Sequence, residues 1–345
     1  IMDDVALKNM AEPITFGQLI TMMYNITEAK VVSGNDIVNG NVKYTLDKTF
    51  LEAYTKLKYT EDVVTANSET SLLSEKGKVS KGKLKVGDTV YDFENGEDYG
   101  SNLGKRVRVY YENTDEAKAV IELKKYNEYK TVLSSEINRY DLKQNRLYYT
   151  PKDTDKEKYE SVEKDAAIIF NGIAVDYEHD KSLMFKPDCG EIVFIDNDSD
   201  GTADVIIIKS YVYYISGIIN PNTPVLHDRT GIQPDIELDS DGITVMKGTE
   251  KISCTDIVSD QLLMAAPSRA VYKTVNKVPF MYADAENSTR ISIEVCGDTK
   301  GGKISEYDES EDEIRIENEK YKISEILRKS SSAFPDNKNL IIAEV

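Results

Sequence analysis

The sequence predicts a mainly β protein with a small α-helical N-terminal part, its strands gathered into several small β-barrel or β-sandwich modules in tandem. Three observations lead there. Apolar residues recur at helical spacing in the first sixty or so residues, in Phe16, Leu19, Ile20, Met23 and Ile26 and again in Phe50, Leu51, Tyr54 and Leu57. Beyond them, short β-prone runs are punctuated by glycine, asparagine and aspartate. The aromatic complement is 22 tyrosines, 8 phenylalanines and no tryptophan, which suits half-buried strands, because a phenol packs its ring while its hydroxyl stays wet.

The elements follow in order. A helix is expected from about residue 15 to about residue 30, since Thr15 followed by Gln18 is a capping box that satisfies otherwise orphan backbone amides. A second helix follows Asp47, with Gly34 to Asn41 as the connection, so that two apolar stripes bury on each other in a small helical core. Strands are then expected at Val63-Val64, Gly82 to Gly87, Thr89 to Tyr91, Arg106 to Tyr111, Ala119 to Leu123, Arg146 to Tyr149 and Ala167 to Phe170. Further ones fall at Glu191 to Ile195, Val205 to Ile208, Tyr211 to Ile215, Gly242 to Val245, Ile291 to Val295 and Glu313 to Ile316. The charged stretch Pro151 to Lys164 reads as a loop or a short solvated helix. Val63 to Phe93, Ser216 to Ile252 and Lys303 to Ile323 share a strand-turn-strand-turn-strand pattern, as in repeated hairpin modules.

Composition breaks divide the chain into a helical segment 1–60, a β-module 61–126, a β-module 127–219 with an acidic loop, a β-module 220–300 and a hairpin module 301–345. The 43 basic and 61 acidic residues leave a net charge of −18. That imbalance, with no basic cluster to offset it, argues against nucleic acid and anionic membrane surfaces as partners. Val205 to Ile208 is among the longest apolar runs, and Lys209 ends it far short of the roughly 20 residues a bilayer-spanning helix needs. The chain begins at Ile1, as expected of a processed protein or a piece of a longer one, so the missing signal peptide carries no message about compartment. Cys189, Cys254 and Cys296 form no Cys-x-x-Cys pair, which argues against a zinc cage or a dense disulfide framework; one disulfide with a leftover thiol stays open.

The sharpest chemical signal is Asp196-Asn197-Asp198-Ser199-Asp200-Gly201-Thr202-Ala203-Asp204. Carboxylates at alternate positions, then a glycine for the tight turn, then a fourth carboxylate, supply hard oxygen ligands for calcium at about 2.3–2.6 Å. The expected ligands are Asp196, Asp198, Asp200 and Asp204, and the ion would stiffen the loop rather than catalyse. The twelfth position is Ile207 rather than a bidentate glutamate, so the loop is not an EF-hand; flanking strands put it at a hairpin tip. The competing reading is a plain polar turn. Glu306 to Glu313 lacks the glycine to wrap an ion, and Glu237, Asp239 and Asp241 read as a turn.

Catalytic signals are poor. His179 and His227 lie near no Gly-x-Ser-x-Gly elbow and no His-Glu-x-x-His helix, although a Cys189/His179 pairing stays open. Gly297 to Gly302 has neither the spacing nor the helix of a phosphate loop. In so acidic a chain a carboxylate pair without geometry means nothing.

Pro13 to Tyr24 resembles the helix of S-layer homology repeats, with their Ile-Thr-Arg-x-Glu start and apolar stripe. Asp47 to Leu51 and Asp62 to Leu72 are similar to the segment that follows such repeats in surface proteins of clostridia-like Gram-positive bacteria, and Ile195 to Ile208 and Gly302 to Ile323 to blocks further along those chains. The resemblance implies an exported, extracellular, surface-displayed protein with structural or adhesive β-modules and no enzymatic residues. Phe16 replaces the family's arginine and Gln18 its acid, so the helix is a degenerate last repeat or a packing helix and wall binding is not carried over by residue. Cell-wall polymer, other surface proteins and further copies of the chain are the partner classes implied. The expected function is thus a non-catalytic surface-layer or envelope scaffold with a calcium-stabilised hairpin. Its alternative is a secreted carbohydrate-binding or accessory module in which tyrosines replace the missing tryptophans as stacking faces.

Overall fold

A computed structural model describes residues 13–39, 41–73, 77–93, 99–141, 143–175, 187, 190–229, 231, 233–275, 278–297, 304–308 and 313–322. It is mainly β, with helix at the N-terminal end and several separate sheets. Helix α1 (Phe16–Glu28) begins at the expected capping box: Thr15 Oγ1 accepts from Gln18 N at 3.2 Å, and Gln18 Oε1 accepts from Thr15 N at 2.7 Å. Strands β1 (Lys30–Val38) and β2 (Asn41–Thr49) then pair antiparallel, and Thr49 caps a six-residue helix α2 (Phe50–Thr55). Two expectations are corrected here. The expected connection from Gly34 to Asn41 is no linker between helices: Gly34 to Val38 and Asn41 belong to the paired strands of a hairpin, and Asn39, next after β1, takes the left-handed region (φ 53°) that asparagine tolerates in turns. No helical core forms either: neither helix buries a residue completely, and Phe16 stays 77% exposed.

The next sheet takes β3 (Lys58–Ala66), β4 (Lys83–Val86), β5 (Thr89–Asp92), β6 (Arg106–Tyr111) and β7 (Ala117–Glu122) in the order β5-β4-β3-β6-β7. A bridge between Phe93 and Ala117 joins its two ends, which closes the sheet into a small barrel filled by Val64, Leu84, Val86, Tyr91, Val107 and Val109. On the outer side of β6, Arg108 is buried against α1. Its guanidinium bonds Glu28 and Tyr24 of the helix and Glu61 of β3, and lies 4.3 Å from the Tyr59 ring centroid. This one side chain ties the helix to the barrel.

A seven-stranded sheet follows: β8 (Glu128–Leu133), β9 (Ile137–Asp141), β10 (Arg146–Tyr149), β11 (Lys158–Phe170), β12 (Ile173–Ala174), β13 (Gly190–Asp196) and β14 (Ala203–Ser210). The order is β8-β13-β14-β11-β10-β9, with β12 on β11. The expected loop or helix at Pro151 to Lys164 is corrected, because from Lys158 onward the chain is strand, pairing with β10 through Lys158 to Ser161 and burying Val162. One face of this sheet packs Val132, Leu147, Ile192, Phe194, Ile206 and Ile208 together, while Ile169, Ile195 and Val205 join the barrel core. The residues on either side of position 127 therefore share one apolar interior. Asn127 itself is buried as a staple: its Oδ1 accepts from Arg106 N at 2.8 Å and its Nδ2 donates to Arg106 O at 2.9 Å.

The third framework comprises β15 (Val212–Ile215), β16 (Val225–Leu226), β17 (Ile236–Glu237), β18 (Ile243–Lys247), β19 (Glu250–Ile252), β20 (Leu262–Pro267), the hairpin β21 (Ala270–Val275) and β22 (Val278–Ala283), and β23 (Ile291–Val295). Its main sheet runs β15-β20-β23-β18-β19 over a core of Tyr214, Leu226, Ile236, Val245, Leu263 and Ile293. Strands β24 (Ile304–Asp308), β25 (Glu313–Ile316) and β26 (Glu319–Lys322) complete the described chain as a three-stranded meander. Of the three similar segments, β3-β4-β5 and β24-β25-β26 share that meander; Ser216 to Ile252 departs from it, pairing β16 with β17 and β18 with β19, because β18 is recruited in parallel by β23. No helix among the described residues is long and apolar enough to cross a membrane.

Candidate metal centre

The acidic loop sits where the sequence places it. β13 and β14 pair antiparallel from Gly190↔Ser210 to Ile195↔Val205, leaving Asp196 to Thr202 as the hairpin tip. The strands approach closely: Gly190 opens β13 at φ 133°, and a Cβ there would lie 1.9 Å from the Lys209 carbonyl oxygen, so only glycine fits. Ile192, Phe194, Ile206 and Ile208 anchor the hairpin from below, so the tip stands on a rigid base.

Within the tip the carboxylates organise their own backbone. Asp196 accepts from the amides of Asp198 (3.1 Å), Ser199 (2.7 Å) and Gly201 (2.8 Å). Asp198 accepts from Asp200 N at 3.2 Å, Asp200 from Thr202 N at 2.8 Å, and Asp204 from Asn197 N at 2.7 Å. Ser199 (φ 64°) and Gly201 (φ 88°) take the left-handed turns that fold the loop back. Asn197 is buried and donates to Gly104 O at 3.1 Å, which pins the loop to the barrel.

The result is a convergence of three carboxylates rather than four. Oxygens of Asp196, Asp198 and Asp204 all lie within 4.8 Å of one another. Asp200 is not in that group; it caps Thr202 on the exposed side of the loop. Oxygens bound to one calcium at 2.3–2.6 Å lie at most ~5 Å apart, so the triad fits such an ion in spacing and donor type. Its electrostatics agree. Burial pushes the Asp204 carboxyl above the ordinary aspartate range; the Asn197 amide opposes that, and the neighbouring charges of Asp198, Asp196 and Asp200 add to it. A cation at this point relieves both the burial and the mutual repulsion.

The remaining sequence candidates do not gather in the same way. Glu237 ends β17, and Asp239 and Asp241 lie in the turn to β18, with no metal-like convergence among the described residues. His227 Nδ1 lies 2.9 Å from Asp235 on the surface. Cys254 is a free thiol. His179, Cys189 and most of the 306–313 cluster's turn lie outside the described residues. What sequence reasoning missed is Asn197: it reads as one more turn residue, and its partner Gly104 is 93 positions away. No family model, curated protein or solved structure matches this chain.

Proposed function

We propose that the chain is a non-catalytic structural or adhesive scaffold displayed on a bacterial cell surface, a series of β-frameworks in which the β13–β14 hairpin is stiffened by calcium. The observation that carries this reading is the oxygen triad of Asp196, Asp198 and Asp204, preset by backbone hydrogen bonds at the tip of a hairpin rooted in two hydrophobic cores. Extracellular calcium modules work at about 10⁻⁴–10⁻³ M, a range in which an ion serves as a permanent brace. The net charge of −18 keeps such a surface soluble, and the likeness of Pro13 to Tyr24 to S-layer homology helices supports export.

Calorimetric titration of chelated protein with calcium tests the site. One ion is expected to bind, and at calcium one hundred times the dissociation constant the folded state gains about 2.7 kcal/mol. Asp198→Ala is expected to lose both. No heat in the parent ends the calcium reading, and failure of external protease to cleave the protein on intact producing cells ends the surface reading.

A further inference from the structure

Two adjoining hollows of about 280 and 330 Å³ lie where the barrel, the seven-stranded sheet and the β20–β23–β18 sheet meet. They share Asn171, Ala266 and Ser292, so they form one trough. Each is near the lower end of the roughly 300–1,000 Å³ that small-molecule sites occupy. Asn171 stands between them as a fixed pillar at the β11–β12 turn. Its Nδ2 donates to Ser210 O at 2.8 Å and Pro267 O at 2.6 Å, and its Oδ1 accepts from Ser210 N at 2.9 Å.

The chemistry of the walls is two-sided. Leu103, Ile169 and Ile207 supply apolar surface. Thr244 and Ser292 pair across β18 and β23 and, with Ala266 beside them, lay small and hydroxylated side chains in one row. Glu294 and Tyr211 line the second hollow, Asp241 the first. Both cations present are already matched: Arg290 lies 2.6 Å from Glu69, and Lys209 2.6 Å from Glu191. An anionic ligand thus finds no spare positive charge in a protein of net charge −18. An extended peptide adding as a strand finds little to pair with: β14, β20, β23 and β18 are interior strands of their sheets, and β12, which reaches the first hollow through Ile173 as an outer strand, is only two residues long.

We propose that this trough binds a short segment of uncharged glycan, the ligand class that offers C–H faces to an apolar wall and hydroxyls to carboxylates and serine or threonine. The proposal goes beyond the calcium-braced scaffold and needs no ion in the β13–β14 loop.

The test is calorimetric titration of the full chain with three neutral tetrasaccharides, cellotetraose, tetra-N-acetylchitotetraose and mannotetraose. Tetragalacturonate and an unstructured Ser/Thr/Ala decapeptide serve as comparators, and each titration is run with calcium and with chelator. At least one neutral tetrasaccharide is expected to bind in the micromolar to millimolar range in both conditions. Ser292→Trp, which fills the trough, is expected to weaken it at least tenfold, and Glu294→Gln several-fold at an unchanged melting temperature. Should Ser292→Trp not fold, Glu294→Gln decides alone. Three outcomes overturn the proposal: no binding of any neutral tetrasaccharide, binding indifferent to Glu294→Gln, or tighter binding of the anionic saccharide or the peptide.

Discussion

The α1–β1–β2–α2 region and the β13–β14 hairpin are built from equally regular apolar patterns, yet one leaves its pattern in water and the other buries it. Ile37, Val42, Tyr44 and Leu46 share one face of the first hairpin, and all four are exposed. Ile192, Phe194, Ile206 and Ile208 alternate in the same way and are almost wholly buried, because β8 and β11 flank them and a second layer covers them. Periodicity fixes which face of an element is apolar. Whether that face is covered depends on the rest of the chain, and an isolated two-stranded hairpin is marginal on its own.

The largest effect that sharpens this contrast is a matched pair of truncations. Ile206→Ala removes a completely buried side chain, and denaturant unfolding is expected to show a loss of about 3 kcal/mol. Ile37→Ala removes a side chain that is 78% exposed and is expected to change stability by no more than about 0.5 kcal/mol. Comparable losses would mean that the hairpin face is covered in solution and would break the comparison.

Next in size is the tie between the two kinds of region. Arg108→Met keeps the bulk of the side chain but strands Glu28 and Glu61 without their guanidinium. Breaking a buried pair costs about 3–5 kcal/mol; here both carboxylates reach water, so about 2 kcal/mol is expected. The sharper readout is hydrogen exchange. Amides of α1 are expected to lose protection while those of β13 and β14 keep theirs, and unchanged α1 protection would show that the helix is held by other contacts.

These contrasts also mark what the sequence could show. The capping box of Thr15 and Gln18 and the β13–β14 hairpin are local, written within a few residues, and the fold contains both. The β1–β2 hairpin is equally local in the sequence, with Asn39-Gly40 between alternating apolar residues, but helical periods on both sides give its glycine and asparagine the look of a linker. The first half of β11 was hidden by charge: it is held by backbone pairing with β10, and only Val162 signals burial. The parallel pairings of β11 with β14 and β18 with β23, the Arg108 cluster and the Asn197–Gly104 bond join residues far apart in the chain, and no local pattern encodes them. For the same reason the acidic motif suggests four candidate ligands, whereas the fold brings the oxygens of three of them, Asp196, Asp198 and Asp204, within 4.8 Å of one another.

The smallest expected effect probes the acidic tip against the core that supports it, through pH. Asp204 has a folded-state pKa above the unfolded value, foremost from burial. Between those two values the native chain holds the proton more tightly than the unfolded chain does. Stability from this group is therefore greatest at low pH and falls as pH rises from the ordinary aspartate value of about 3.9 through the folded one. Asp204→Asn keeps an oxygen to accept from Asn197 N and removes the buried charge. In chelator at pH 7 the variant is expected to melt above the parent, with the advantage vanishing below about pH 3.5. With saturating calcium the order is expected to reverse, since only the parent offers the third carboxylate. A variant that melts below the parent in chelator at pH 7 would show that the charge is favourably held without an ion, and the loop would then be an ordinary turn.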